Sequence, residues 1–585
     1  MLFSYDMVFA WMRAGTQGKQ AMNKKRSAAS RGKRHFDPID LEVLWNRLIT
    51  VVDEAAYAVI RTSMSKVVVE GRDFGALLLD TQGRLVAADV SIASKTGTIS
   101  IAVKEMLKHF PASSLKPGDA LVTNNPWWIM GHLNDIAIVA PLFHRGRLVG
   151  FAECMAHMAD IGGCLSGPPR EVYEEGLIIP PVKAMDRGKE NPVFFAMLGA
   201  NVRVPNQVLG DVRALVVGCR VMEAKLSEFL SEQRMDDLNT LADAILHKSR
   251  QAMRQGVRDT IPDGIYHGSA SVDGFAQPMH IHTQVEVRDG NVKVGFAGSS
   301  VQSDQGINCT LVYTAVWSTY TIKCLAGPHV PNNEGTFSPI QVSAPQGSFL
   351  NPRFPAPVRM KPSSGHYIPD AIIDALKGVV KDQILAESGN KFLVDFAGRD
   401  EAGQPFSDVM FIMGGMGARG SKDGLHCMSF PANSSNLPVE ILESTIPVRV
   451  LYKRIRPDSG GAGRYRGGCG QEFAFESVSP TPLTVRAVHG KLATPPNGLR
   501  GALPGAAGAL TMNDKPIPDK TPRVLHNGDV MRLVIPGSGG MYPAAERDRI
   551  ALTRDIENGI VSVASAVKDY GLQPDEASAS APPEE

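Results

Sequence analysis

The chain has 585 residues, 43% of them hydrophobic and 21% charged, enough apolar material for several cores and too much for a disordered polyelectrolyte. Its formal charge of +1 hides an asymmetry: residues 1–36 carry +7 and the remainder −6, so the basic character belongs to an extension and no folded basic surface points to nucleic acid. Gly and Pro supply 97 of the 585 residues, above the usual share of about 12%, and with no fixed repeat this describes a turn-rich protein of short strands and long ordered loops.

The first strong signal along the chain is a helix opening at Asp37 as N-cap, with Pro38 at the first helical position and Leu41, Leu44, Leu48, Val51, Val52, Ala55 and Val59 at helical spacing. Strands are expected at Val67–Val69, at Phe74–Leu79 and, after a turn at Thr81–Gly83, at Leu85–Ala88. A helix near Thr98–His109 and a strand at Ala120–Thr123 follow. Residues 135–157 read as a hairpin in which Ile136–Phe143 and Leu148–Met155 flank a turn at His144-Arg145-Gly146, with His144 in solvent at the tip. Helices are then expected over about 206–234 and 236–256, strands over 264–298 with a turn at Asp289-Gly290, helices over 306–326 and 369–388, and short strands from about 390 to 555. The pattern is that of an α+β fold, with mixed, turn-rich β-sheets and packed helices in two or three interlocked lobes. A basic extension (1–36) precedes an N-terminal lobe (37–260), a middle lobe (261–390), a β-rich C-terminal lobe (391–560) and a tail (561–585).

Seven cysteines without a CxxC pair fit reduced thiols in the cytoplasm. No stretch of eighteen apolar residues predicts a membrane span. The opening MLFSYDMVFAWMRAG places Asp6 before its apolar part and has no basic n-region, which argues against a secretory signal.

Chemistry-bearing residues concentrate at the open end of the 135–157 hairpin, in Gly131-His132-Leu133-Asn134-Asp135 and Ala156-His157-Met158-Ala159-Asp160. A two-residue turn at His144-Arg145 would set His132 opposite His157, within reach of a shared metal. Asp135 joins them only if residues 132–134 leave the strand, because three steps along a regular strand reverse the face. Two imidazoles and one carboxylate leave positions open for a divalent ion that activates water or polarises a carbonyl; the alternative is a pair of hydrogen-bonded turn histidines. Cys154 and Cys164 read as buried structural thiols, and His280-Ile281-His282 as a half-exposed strand face. Gly415–Gly420 has GxGxxG spacing without the helix that a dinucleotide site needs, and the chain has neither a GxxxxGK[ST] loop for ATP nor a GxSxG elbow. Glu70, Arg72 and Asp73 lie between apolar runs, as either an internal ion-pair network or a functional cluster.

With DPIDLEV, EGRDFGALLLD, PGDALVTNNPW, EEGLIIPPVK, NVRVPNQVLGD, PNNEGTFSPI, NLPVEILE and PDSGGAGRYRGGCG, these segments make the chain resemble the hydantoinase B/oxoprolinase family over roughly Asp37 to Asp548. That family includes subunits of ATP-dependent N-methylhydantoinases and related lactamases, 5-oxoprolinase, and acetone and acetophenone carboxylases. In the carboxylases a divalent metal is held by the residues that match His132, Asp135 and His157. The resemblance implies an enzyme of the same kind: the metal-binding subunit (Mn, Zn or Fe) of an ATP-dependent cyclic-amide hydrolase. Its ATPase A subunit partner would bind the ATP and phosphorylate a small cyclic amide or ketone, in a cytoplasmic hetero-oligomer. Glu70, Asp73 and Asp160 are the catalytic candidates, with Glu70 or Asp160 as general base or as an acceptor behind a ligand. The alternatives are a subunit of an acetone/acetophenone-type carboxylase and a non-catalytic scaffold subunit. Asn124-Asn125-Pro126 departs from the family's Asn-Asp-Pro, Pro536–Tyr542 departs from its GGGGYG-like motif, and residues 1–36 have no recognised counterpart.

Overall fold

A computed structural model of the chain describes residues 36–89, 100–164, 167–275, 277–400, 402–428, 430–432 and 434–573. The basic extension and the final Ala/Ser/Pro-rich residues lie outside the described residues, as does Thr98.

The helix announced by Asp37 runs over Pro38–Thr62, and the Asp37 carboxylate accepts the Ile39 amide. Its apolar stripe, with that of the helix Pro205–Glu232, covers one face of an antiparallel sheet in the order β2-β1-β5-β4-β3-β6-β7. The strands are β1 (Phe74–Leu79), β2 (Leu85–Ala88), β3 (Ala120–Thr123), β4 (Asp135–His144), β5 (Arg147–His157), β6 (Val182–Asp186) and β7 (Lys189–Glu190). Every residue of β1 is buried, which is why it reads FGALLL with no polar alternation. At the helix crossing, a Cβ on Gly218 would lie 2.5 Å from Val59 and 3.0 Å from the Cys154 sulfur, so only glycine permits this approach.

The chain continues through the helix Asn239–Thr260 to a second sheet, β11-β10-β9-β8, made of β8 (Gly264–Val272), β9 (Met279–Arg288), β10 (Asn291–Gly295) and β11 (Ile340–Ser343). Here β9 alternates buried and exposed, placing His280 and His282 on the exposed face. The helices Leu311–Ala326 and Ile368–Leu376 join this sheet to the first, and their side chains belong to one hydrophobic core shared with it. Two further sheets, β13-β12-β16-β19 and β14-β15-β20-β17-β18, the latter made of β14 (Val448–Ile455), β15 (Gln471–Ser477), β17 (Ala509–Met512), β18 (Lys515–Pro516) and β20 (Val530–Val534), face each other over a second core containing Phe392, Phe396, Phe473 and Phe475. In the first of these, β12 spans Lys391–Arg399, β13 Pro405–Met413, β16 Leu483–Val488 and β19 Arg523–Leu525. The fold is α+β.

Several local expectations change. Val67–Val69 forms one helical turn (Lys66–Val69) instead of a strand: the buried Asp211 carboxylate accepts the Met64 and Ser65 amides at 2.7 and 3.1 Å and sets the chain into a turn. The helix expected over 369–388 stops at Leu376, just ahead of Gly378. A helix at Val439–Glu443 interrupts the C-terminal strands, which end at Val534, and a helix at Arg549–Glu557 follows them. The expected tail holds a helix, Val563–Tyr570, capped by the Ser562 hydroxyl and by Gly571 in the left-handed region, with Ala566 and Tyr570 packed on Leu552 and Ile556. His144 is buried at the hairpin tip because the helix Pro205–Glu232 passes over it; its Nδ1 is 2.8 Å from the Ser227 hydroxyl. Cys164 is exposed, whereas Cys154 is buried as expected.

Asp211→Ala leaves two amides at the approach to β1 without their acceptor. Chemical denaturation should show a loss of about 1–3 kcal/mol, with Asp211→Asn largely retaining stability; an unchanged midpoint in the alanine variant would refute this role.

Candidate metal centre

The β4–β5 ladder places Asp135 directly opposite His157. The turn falls at Arg145-Gly146 and a register irregularity between Leu142 and Phe143 adds one more step, so pairing is three residues away from the predicted His132–His157 register. His132 reaches the same place by another route. Residues 131–134 leave the strand as a turn, and this folds the His132 ring back over Asp135. Its Nε2 lies 2.6 Å from Asp135 Oδ2, His157 Nδ1 lies 3.5 Å from Asp135 Oδ1, and the two ring centroids are 4.9 Å apart. All three side chains are buried, and their ligand atoms lie within 4.8 Å of one another, the one such His/Cys/Asp/Glu group among the described residues.

Asn124 holds the turn. Its amide nitrogen donates to the carbonyls of Leu133 (2.9 Å) and Leu177 (2.8 Å), and its oxygen accepts the Ile179 amide at 2.7 Å. Gly131 has φ of +84°, and a Cβ there would meet the Thr310 hydroxyl at 2.9 Å and Tyr313 at 3.1 Å, so the turn's entry admits only glycine. Asn125, where the family pattern has aspartate, accepts the Trp127 amide at 2.9 Å, an acceptor role that either residue serves.

Residues distant in sequence complete the cleft. Tyr313 and Trp317 come from the helix Leu311–Ala326, Lys361 and His366 from the segment after Arg359, and Lys391 from the start of β12. Lys361 Nζ donates to the Met130 carbonyl, stands 3.4 Å from Asp135 Oδ2 and lies 4.5 Å above the Tyr313 ring. Lys391 Nζ donates to the Ser434 hydroxyl at 2.8 Å. None of these was singled out from sequence. Lys361, a charge in RMKPSSGHY between Met360 and a run of Pro and small residues, is the signal the sequence offers.

Burial is the main reason that the His132 pKa falls to about 4; the Asp135 carboxylate opposes the shift, and Lys361 and His157 add to it. The ring is therefore neutral near pH 7, the form in which an imidazole binds a metal. The Arg359 carbonyl lies 3.5 Å from His132 Nδ1, on the side away from Asp135. A neutral imidazole, a second imidazole and a carboxylate converging in one cleft fit a divalent cation.

Of the remaining predicted residues, Asp73 lines the same cleft, and its backbone carbonyl accepts the His157 amide at 2.9 Å. Glu70 ends the one-turn helix before it, half-buried and outside the cleft lining. Asp160 is also outside the cleft lining and pairs with Arg203, whose Nη1 donates to it at 2.7 Å. His280 and His282 join no metal-capable group among the described residues.

A cleft ending an antiparallel hairpin and carrying two histidines and an aspartate defines a candidate metalloenzyme centre on an α+β scaffold. The chain matches the description Hydantoinase B/oxoprolinase over residues 37–543, and it belongs to that family. It is 28% identical to the caprolactamase subunit beta of Pseudomonas jessenii, over 92% of this chain and 96% of that protein. Among solved structures, an ATP-dependent caprolactamase from Pseudomonas jessenii superposes with a TM-score of 0.85 and 25% identity, covering 93% of this chain and 99% of the other. A nucleotide-free acetone carboxylase superposes with a TM-score of 0.81 and 18% identity, covering 93% and 82%, a likeness of fold.

The depressed His132 pKa has a stability consequence. The unfolded chain takes up a proton on this ring below pH 6.5, whereas the folded ring resists it until about pH 4. The metal-free protein should therefore lose up to roughly 3 kcal/mol from this group as pH falls through that window. Urea midpoints measured between pH 4 and 7 should show that part of the slope removed in His132→Gln; identical slopes would contradict it.

Proposed function

We infer that this chain is the metal-binding subunit of an ATP-dependent cyclic-amide hydrolase that works with an ATPase partner subunit. The observation that carries the reading is the buried His132–Asp135–His157 group, in a chain that aligns over nearly its whole length with a caprolactamase subunit. The chain has no P-loop of its own, which supports ATP being handled by a partner. No helix among the described residues is long and apolar enough to cross a membrane, and the seven free thiols support a cytoplasmic setting.

A ring amide is a poor electrophile with a poor leaving group, and phosphorylation of its oxygen by the partner would improve both. A divalent ion held by His132, Asp135 and His157 would supply Lewis-acid activation of water or of the carbonyl carbon's oxygen substituent. The chain's own residues do the rest. The Arg359 carbonyl orients the His132 ring, Lys361 and Lys391 offer positive charge to a phosphorylated or oxyanionic substrate, and Asp73 is the lining carboxylate able to take a proton from water. Asp160, held by Arg203, positions the segment that follows His157. An acetone/acetophenone-type carboxylase subunit is the second reading, and it draws on the acetone carboxylase fold; a scaffold role is the third.

In the assembled complex, His132→Ala and His157→Ala should each remove bound divalent metal, read by elemental analysis, and lower ATP-dependent opening of a hydantoin and lactam panel by more than about 100-fold. Retained metal with retained turnover would return the chain to the scaffold reading. ATP consumption that requires bicarbonate and a ketone would replace hydrolysis with carboxylation.

A further inference from the structure

His366 follows the one-turn helix Pro362–Gly365 and lines the same cleft as His132, Asp135 and His157. Its backbone is pinned on both sides. Before it, a Cβ on Gly365 would lie 2.4 Å from the Tyr313 ring, so glycine is what lets the chain pack there. After it, the Tyr367 hydroxyl accepts the Lys491 amide at 2.7 Å. Trp317 meets the imidazole edge to face, with centroids 5.4 Å apart and planes at 85°, which sets the plane of the ring.

His366 is 3% exposed, yet no hydrogen bond among the described residues reaches either ring nitrogen. Buried side-chain polar groups are nearly always paired, and one left unpaired costs stability. The neighbouring ammoniums are already engaged: Lys361 with the Met130 carbonyl and Asp135, Lys391 with the Ser434 hydroxyl at 2.8 Å and the Phe411 ring at 4.2 Å. Burial keeps His366 neutral at pH 7, and Lys391 and Lys361 add to the effect. A neutral imidazole has one N–H donor and one acceptor. His366 therefore brings to the cleft a donor and an acceptor that the described residues leave unspent.

We propose that His366 is a catalytic residue that protonates the departing ring nitrogen as the cyclic amide opens. This role rests on the hydrolase reading of the site. Opening the ring forms a C–O bond from a lone pair of the attacking water and breaks the C–N bond, whose electron pair goes to nitrogen. Water must lose a proton and nitrogen must gain one, because a nitrogen anion is too basic to leave. Asp73 takes the proton from water, one imidazole nitrogen takes it from Asp73, and the ring passes it to the departing nitrogen, so both residues end as they began. An imidazolium near two ammoniums is a strong acid, suited to a weakly basic nitrogen.

The test compares wild type with His366→Leu and His366→Gln, as the full chain and in the complex with the ATPase partner. With no partner to lose, the leucine variant should keep or raise its thermal midpoint, and both variants should retain bound divalent metal. Opening of lactams should fall about 100-fold or more. Cyclic imides, whose departing nitrogen is stabilised by a second carbonyl, should lose at least about 10-fold less. A lowered midpoint in both variants, loss of metal, or equal losses on lactams and imides would make the ring a structural support and overturn the role. A wild-type complex that opens no cyclic amide removes the hydrolase reading and this role with it. A wild type that opens them, beside variants that do so equally well, removes the role alone.

Discussion

The centre depends on a short departure from an antiparallel ladder. In regular β-structure His132 and Asp135 would project from opposite faces of β4, and no metal could bridge them. Residues 131–134 turn out of the strand instead, and the backbone groups freed by that turn need partners in a buried place where water cannot serve. Asn124 is fully buried and binds the Leu133, Leu177 and Ile179 backbones, so one side chain ties the turn to the strand before it and to the segment leading into β6. Met158 and Asn134 complete the closure, the Met158 amide donating to the Asn134 carbonyl at 2.8 Å.

A second layer of support comes from far along the chain. Glu175 binds the amides of Val358 and Arg359, and the segment held there brings the Arg359 carbonyl to His132 and the Lys361 ammonium to Asp135. Lys361 sits over the Tyr313 ring, and Tyr313 packs against Gly131 at the entry to the ligand turn. The ligands, the lysine and the aromatic floor therefore form one packed unit in which each element limits the others. The glycine-rich C-terminal segments serve a related purpose. A Cβ on Gly537 would lie 1.7 Å from the Ser459 carbonyl, so PGSGG and PDSGG approach backbone to backbone, and the glycine excess reflects close packing as much as turns.

Legibility from sequence followed the range of the interaction. The helix after Asp37 was readable because its cap, its proline and its apolar period are all local. The hairpin was readable as alternating runs around a turn, and its histidines and aspartate were correctly brought into one neighbourhood. Its register was not readable, since a shift of the turn by one residue and an irregularity at Leu142/Phe143 leave no mark on the apolar pattern of two nearly all-buried strands. Val67–Val69 shows the same limit: three β-branched residues favour a strand, and the Asp211 carboxylate, nearly 150 residues away in the chain, imposes a helical turn. A place in a turn predicts solvent exposure for His144, and a helix that crosses the hairpin tip buries it.

By itself the sequence determined which residue types could do metal chemistry, where the chain must turn, the α+β class and membership of a recognisable family, because composition, periodicity and motif order are carried by near neighbours. The tertiary structure alone decided that Asp135, and not His132, faces His157 across the ladder, that Asp73 joins the cleft while Glu70 and Asp160 stand outside it, and that Lys361 and Lys391 line it. Those outcomes rest on a register irregularity within the hairpin and on contacts between segments far apart in the chain, Lys361 reaching Asp135 across 226 residues. Such contacts are selected by packing and by the need to pair buried charges and backbone groups, and no local pattern encodes them.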